Sequence, residues 1–218
     1  MKQMPLSRKL IIILTSLLFA VYAAYNVFLI VRDYTILPPP GIIIYATVAL
    51  MFAVFPLYLL TAGIQGKKHI RFLIFRRISF IVALSVIFLL KLRMIPSVIA
   101  SLDFSKPYTV FYVGAYLMTQ AALLILLIFF VFVLGRFPLY PRALVVLPVL
   151  AIILFAGSLA LEAVLYFVYG IGLEANTLRT LVIRPVFYLG FICLSAYFLF
   201  PPEAATAPPV KQESNTNP

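Results

Sequence analysis

Four ionisable side chains lie within long apolar stretches of the 218-residue sequence: Lys91, Arg93, Glu162 and Arg184. An ionisable group in a membrane span costs about 2.5 to 3.5 kcal/mol to insert, so each one requires a partner or a function. Glu162 and Arg184 have opposite charges and fall at similar depths on consecutive predicted helices, which predicts an ion pair. Lys91 and Arg93 then remain as two positive charges that can bind a small anionic ligand or a lipid headgroup.

Tyrosines accompany these charges. Tyr108, Tyr112 and Tyr116 are spaced i, i+4, i+8, so they share one face of a helix. A second polar group falls at a comparable depth in the first predicted helix: Tyr22, Tyr25 and Asn26. We predict a polar cavity in the outer half of the protein, although an interfacial aromatic belt is an alternative role for the tyrosines. The predicted ligand-binding residues are Lys91, Arg93, Glu162, Arg184, Tyr108, Tyr112 and Tyr116.

The sequence contains no residue pattern typical of an enzyme, a metal site or a cofactor site. The sole histidine, His69, lies beside Lys68 in a basic loop, and the sole cysteine, Cys193, lies in an apolar run. No predicted span contains two acids, so a carboxylate dyad is not expected. Glycine-rich phosphate loops and histidine pairs are also missing from the sequence. We therefore expect no catalysis, no metal and no cofactor.

Composition indicates that lipid surrounds the helices that carry these residues. Hydrophobic residues make up 65 % of the chain and its mean hydropathy is +1.15, whereas soluble domains are about 45 to 50 % apolar. A helix that crosses a hydrocarbon core of ~30 Å needs about 20 apolar residues. The apolar runs are continuous over such lengths, which excludes the alternating strands of a membrane β-barrel.

The sequence therefore predicts an all-α fold, a polytopic integral membrane helical bundle with six transmembrane helices. The predicted spans are residues 10–31, 42–64, 78–102, 110–134, 143–168 and 180–200. Together they form one transmembrane domain over residues 1–200. Residues 201–218 contain too few apolar side chains to offset chain entropy, so we predict a disordered cytoplasmic tail.

The distribution of lysine and arginine predicts how the bundle is oriented. Eleven basic residues fall on one side: Lys2, Arg8, Lys9, Lys67, Lys68, Arg71, Arg76, Arg77, Arg136, Arg142 and Lys211. The opposite loops hold only Arg32, Lys106 and Arg179, each near an acid. The positive-inside bias then places both termini in the cytoplasm of a bacterial-type cytoplasmic membrane. Orientation also accounts for the net charge of +11, so no nucleic-acid partner is expected.

Two features of this scheme have alternatives. The third helix could span residues 70–90, which would place Lys91 and Arg93 at the outer interface and leave a short segment broken by Pro96. The first apolar run could be a signal peptide cleaved near residues 20–24, although the run continues without a good cleavage site and is long enough to span.

Two functions fit this sequence. The first is a transport or ligand- or lipid-binding membrane subunit with an outer-half basic cavity. The second is a structural or assembly subunit that binds a partner membrane subunit and performs no chemistry. An intramembrane enzyme acting on lipids fits less well because histidine and acid pairs are missing. Any transport driven by ATP would need a partner, since six helices supply no nucleotide site.

Overall fold

The computed structural model describes residues 6–33, 36, 38–61, 70–93, 95–100, 103–135, 141–170 and 179–199. These residues are helical apart from short turns. The helices are α1 (Leu6–Asp33), α2 (Pro39–Leu60), α3 (Ile70–Arg93), α4 (Ile95–Ala100), α5 (Tyr108–Gly135), α6 (Pro141–Phe167) and α7 (Arg184–Leu199), with a π-helical turn at Arg179–Ile183. Six of these helices, all except α4, are long and apolar enough to cross a membrane. The prediction of a six-helix, all-α membrane bundle is confirmed, and the predicted tail lies outside the described residues.

Large apolar side chains cover the outer surface of the bundle. Examples are Ile13, Leu50 and Ile153, which are each about 60 % exposed and lie on three different helices. A soluble protein would not expose so many large apolar side chains along whole helices. These surfaces contact the acyl chains of a lipid bilayer, so the chain is an integral, multi-pass membrane protein.

The third helix differs from the predicted span of 78–102. It begins at Ile70 and ends at Arg93, and Ile95–Ala100 forms a separate short helix. Pro96 explains the break, because a proline cannot donate the hydrogen bond that would continue a helix. The bounds are closer to the alternative register, 70–90. Lys91 therefore lies only two residues, about half a turn, from the end of α3.

The long helices pack as a closed ring in the order α1, α2, α3, α5, α6, α7. Neighbouring helices are antiparallel, because residue numbers rise along one helix as they fall along the next. The α1–α2 contacts are Phe19–Phe55 and Tyr22–Phe52, and the α1–α7 contacts are Arg8–Tyr197 and Tyr22–Phe187. The helix ends therefore form two groups. We call the group with Leu6 and Leu199 the Leu6 end, and the group with Asp33 and Tyr108 the Asp33 end.

Phenylalanines fill the middle of the ring. Each of the six long helices contributes at least one with no exposed surface: Phe19, Phe55, Phe80, Phe130, Phe155 and Phe191. Their ring centroids are 4.6 to 5.3 Å apart along the series Phe130–Phe80–Phe55–Phe19–Phe191–Phe155, which are distances at which aromatic pairs stabilise one another. We call this cluster the phenylalanine plug. It separates the two ends of the bundle.

Candidate ligand-binding cavity

A cavity of about 170 Å³ lies between the phenylalanine plug and the Asp33 end. Each of the six long helices contributes at least one side chain to its wall. Six tyrosines line it: Tyr22, Tyr25, Tyr45, Tyr112, Tyr116 and Tyr188. The interior of the ring is therefore polar at the Asp33 end, while its middle is filled by apolar side chains.

Most of the residues singled out from the sequence meet at this cavity. Lys91, Glu162, Arg184, Tyr112 and Tyr116 all line it. The α1 residues predicted at comparable depth, Tyr22, Tyr25 and Asn26, line it as well. The structure thus brings together side chains from α1, α3, α5, α6 and α7 that are far apart in the chain.

Arg93 and Tyr108 do not line the cavity. Arg93 is exposed at the end of α3. Residues two apart on a helix point to different faces, so Lys91 and Arg93 cannot both face inward. Tyr108 is the first residue of α5, and its ring packs against Tyr169 with the centroids 6.2 Å apart. Tyr108 lies one helical turn nearer the end of the bundle than Tyr112, which does line the cavity.

Glu162 and Arg184 form the ion pair that the sequence predicts. Arg184 Nη1 is 3.6 Å from Glu162 Oε1, and the side chain of Glu162 is only 11 % exposed. Two tyrosines complete the arrangement. Tyr188 donates its hydroxyl to Glu162 Oε1 at 2.7 Å and Tyr166 donates to Oε2 at 3.1 Å, while Arg184 Nη1 donates to the Tyr166 oxygen at 2.6 Å. These bonds hold the buried carboxylate in place, as a charge in a dry environment requires.

The hydrogen-bond network continues from Tyr188 to α5. Thr119 Oγ1 is 3.4 Å from the Tyr188 hydroxyl and 2.7 Å from Ser158 Oγ. The two hydroxyl oxygens also lie 2.8 and 2.6 Å from the carbonyl oxygen of Ala115, so one hydroxyl donates to that carbonyl while the other donates to its neighbour. These bonds join α5, α6 and α7 at the wall of the cavity. The hydroxyls of Thr119, Ser158 and Tyr188 are thus connected in one network along this part of the wall.

Lys91 supplies the second positive charge of the cavity. Its ammonium nitrogen lies 5.0 Å from the centroid of the Phe187 ring, a distance at which the face of an aromatic ring attracts a cation. The Tyr116 hydroxyl donates to the backbone carbonyl of Lys91 and so attaches α5 to the end of α3. The side chain of Lys91 is consequently directed to the interior of the ring.

The π-helical turn Arg179–Ile183 directly precedes Arg184. Pro185 lacks an N–H group and cannot donate the regular helical bond to Leu181, so the chain adopts a wider turn at this point. Turns of this kind are frequent at functional sites because they redirect a side chain. Here the turn brings Ile183 and Arg184 to the cavity wall.

The cavity carries a formal excess of positive charge. Its wall contains two basic side chains, Lys91 and Arg184, and one acidic side chain, Glu162, which leaves a formal charge of +1. In the part of the chain that the structure describes, no group of three histidine, cysteine or acidic residues lies close enough to hold a metal ion. The arrangement can bind an anion through charge and hydroxyl groups.

Several residues of the site were not recognised from sequence. Tyr166 follows Glu162 by one helical turn and Tyr188 follows Arg184 by one turn, so i+4 spacing from an ionisable residue was a usable signal. Thr119 occurs three residues after Tyr116 on the same helix. Tyr45 carries no such signal, because its contribution depends on how α2 is rotated within the ring.

Comparison with known proteins finds no matching family model, no similar curated protein and no similar solved structure. The fold and the site therefore define the chain as a six-span polytopic membrane protein with a positively charged, tyrosine-lined cavity at one end of the bundle.

Proposed function

We propose that the protein is a ligand-binding or transport subunit that binds a small anion, or the anionic headgroup of a lipid, in the cavity at the Asp33 end. The observation that supports this most directly is that all the long helices contribute to one charged site. All six long helices enclose one cavity, and two basic side chains from different helices lie in its wall. Ionisable residues within membrane spans are costly and commonly mark a ligand or ion site.

The size of the cavity limits the ligand. A protein cavity of about 150 Å³ holds a molecule the size of benzene, and this one is about 170 Å³. Pockets for drug-sized ligands are roughly 300 to 1,000 Å³. The cavity suits a compact anion, or a lipid phosphate or carboxylate whose acyl chains remain outside the ring. The aromatic walls also favour a ligand with an apolar or ring-shaped body.

The distribution of basic residues supports an orientation with both termini in the cytoplasm. In that orientation the Asp33 end faces the extracytoplasmic side, and the phenylalanine plug closes the cavity toward the cytoplasm. This is the geometry of a site that loads from outside. The proposal is for binding and translocation and not for chemistry on the ligand.

The test is equilibrium binding to the purified full-length chain in detergent. The probes are inorganic phosphate, benzoate and dihexanoyl phosphatidic acid, with tetramethylammonium as a cationic control. Lys91→Gln removes a charge from the cavity, and Arg93→Gln removes the same charge two residues away, outside it. Hydrogen bonds to charged groups contribute about 1.5 to 3 kcal/mol, so we expect Lys91→Gln to weaken anion binding about 10- to 100-fold. Arg93→Gln should leave it unchanged.

Each probe distinguishes one form of the proposal. Tighter binding of phosphatidic acid than of phosphate or benzoate indicates a lipid headgroup as the ligand, and the reverse indicates a free anion. Equal weakening by both variants would show that the effect arises from surface charge. Absence of binding by every anion, or preferential binding of tetramethylammonium, would contradict the proposal and favour a structural role in a membrane complex.

A further inference from the structure

A second cluster of basic side chains lies at the Leu6 end, on the other side of the phenylalanine plug. Arg8 on α1 lies over the ring of Tyr197 on α7, with the guanidinium carbon 4.5 Å from the ring centroid. Arg76 on α3 lies over the ring of Tyr58 on α2 at 4.9 Å. Arg77 is also within electrostatic range of Tyr58, as are Arg8 and Arg76. Four helices thus direct basic and aromatic side chains to one region.

Two guanidinium N–H groups in this region lack an acceptor. The Nε–H groups of Arg8 and Arg76 are both buried, and neither has a hydrogen-bond partner among the described residues. Arg76 uses another nitrogen, Nη1, to donate to the backbone carbonyl of Thr61. A buried donor on a charged group is unfavourable unless something accepts its hydrogen bond. Two such donors from different helices indicate a place for an anion.

The protein supplies no acid for these arginines in the part that the structure describes. The acidic side chains described are Asp33, Asp103 and Glu162, and all three lie at the Asp33 end. The positive-inside bias explains why arginines occur at the Leu6 end, but arginines that serve only orientation extend toward water and the headgroups. Arg8 and Arg76 instead pack on Tyr197 and Tyr58, which are only 5 % and 7 % exposed.

We propose that Arg8, Arg76 and Arg77, with Tyr58 and Tyr197, form a second anion site whose ligand is a phosphate group. The planar guanidinium fork matches phosphate oxygens, and its Nε–H is one of the two donors used in bidentate contacts. The phosphate can come from an anionic membrane lipid or from a soluble phosphate. This site does not depend on the cavity at the Asp33 end, because the phenylalanine plug lies between them.

The experiment is native mass spectrometry of the full-length chain in detergent with equal amounts of phosphatidylglycerol and phosphatidylcholine. A parallel arm measures binding of inorganic phosphate by equilibrium dialysis. We expect the wild-type chain to retain phosphatidylglycerol selectively. The double variant Arg8→Gln/Arg76→Gln removes both unpartnered donors and should weaken that retention at least about tenfold. Arg142→Gln removes an exposed arginine at the same end of the bundle and should have little effect.

The outcomes separate the sources of the phosphate. Selective retention of phosphatidylglycerol that the double variant loses assigns the site to a lipid, whereas binding of inorganic phosphate alone assigns it to a soluble ligand. Equal retention by the double variant and by Arg142→Gln would overturn the proposal. If the double variant does not fold, Arg8→Lys/Arg76→Lys keeps both charges but lacks the Nε–H groups, and unchanged selectivity in that variant would also overturn it.

Two acids of the tail, Glu203 and Glu213, lie outside the described residues. A further variant tests whether their carboxylates, and not a phosphate group, bind to the arginines. Glu203→Gln/Glu213→Gln should leave retention of phosphatidylglycerol unchanged if a phosphate group occupies the site. Phosphate or lipid binding that appears only in this variant would show that the tail carboxylates satisfy the arginines, and would overturn the proposal.

Discussion

Removal of Arg184 should destabilise the bundle because it leaves Glu162 buried and without its counter-ion. At the observed separation of 3.6 Å, the attraction between the two charges is about 4 to 5 kcal/mol at an effective dielectric constant of about 20. Arg184 is 37 % exposed, so water screens part of this energy, and the hydroxyls of Tyr166 and Tyr188 remain to stabilise the carboxylate. We expect Arg184→Gln to lower the free energy of unfolding by about 3 kcal/mol.

Neutralisation of Glu162 should cost less stability than neutralisation of Arg184, and it should partly restore the stability that Arg184→Gln loses. In Glu162→Gln the amide oxygen can still accept the hydrogen bond from Tyr188, and Arg184 can reach water, so we expect a loss of about 1 kcal/mol. In the double variant Glu162→Gln/Arg184→Gln neither position carries a charge that has lost its counter-ion. The coupling energy between the two positions should therefore be about 2 kcal/mol, within the range measured for residues in direct contact.

The assay is reversible unfolding in mixed micelles with an increasing fraction of sodium dodecyl sulfate. Because the chain contains no tryptophan, helix content is followed by circular dichroism. A double-mutant cycle needs four proteins: the wild type, the two single variants and the double variant. A coupling energy below about 0.5 kcal/mol would mean that the two sites act independently, and would refute the inference that the buried carboxylate depends on Arg184.

Two further predictions concern local packing and pH. Alanine at Gly190 would place Cβ 2.7 Å from Phe19 Cε1 in the phenylalanine plug, whereas alanine at Gly157 meets only the flexible end of Met118 at 3.1 Å; we expect the first substitution to cost about 1 to 3 kcal/mol of stability and the second much less. Hydrogen bonds from Ser105 lower the pKa of Asp103. The turn that contains Asp103 and Ser105 should therefore be ordered above the usual pKa of aspartate and lose order as pH falls through the lowered pKa. Amide hydrogen exchange at Ser105 measures this order, and Asp103→Asn should remove its pH dependence.

The number and type of the helices could be predicted because lipid leaves little choice. A continuous apolar run of about 20 residues can satisfy its backbone in a bilayer only as a helix. The end of α3 was harder to predict because the apolar run continues past it. The chain remains apolar from Met94 to Leu102, so hydropathy alone extends the span, and only the restriction that Pro96 places on the backbone indicates the break.

The cavity could be predicted in part because charges inside a membrane must face the interior of a bundle. Glu162 and Arg184 meet this requirement as an ion pair, and Lys91 also faces the interior. Arg93, which was predicted with Lys91, does not line the cavity, because side chains two residues apart lie on different faces of a helix. The phenylalanine plug could not be predicted, because phenylalanine is equally suited to the lipid-facing and interior surfaces of a helix, and only the rotation of each helix in the ring decides which surface it occupies.

A thiol-labelling experiment tests the central claim most directly, namely that the cavity is positively charged and opens to the extracytoplasmic side. Tyr112→Cys is made in a Cys193→Ala background, and intact cells are treated with membrane-impermeant thiosulfonate reagents that differ only in carrying a negative or a positive charge. The predicted result is labelling from outside the cell, faster with the anionic reagent than with the cationic one, with the preference reduced by Lys91→Gln. Labelling only after the cytoplasmic side is exposed, or equal or faster labelling by the cationic reagent, would contradict it.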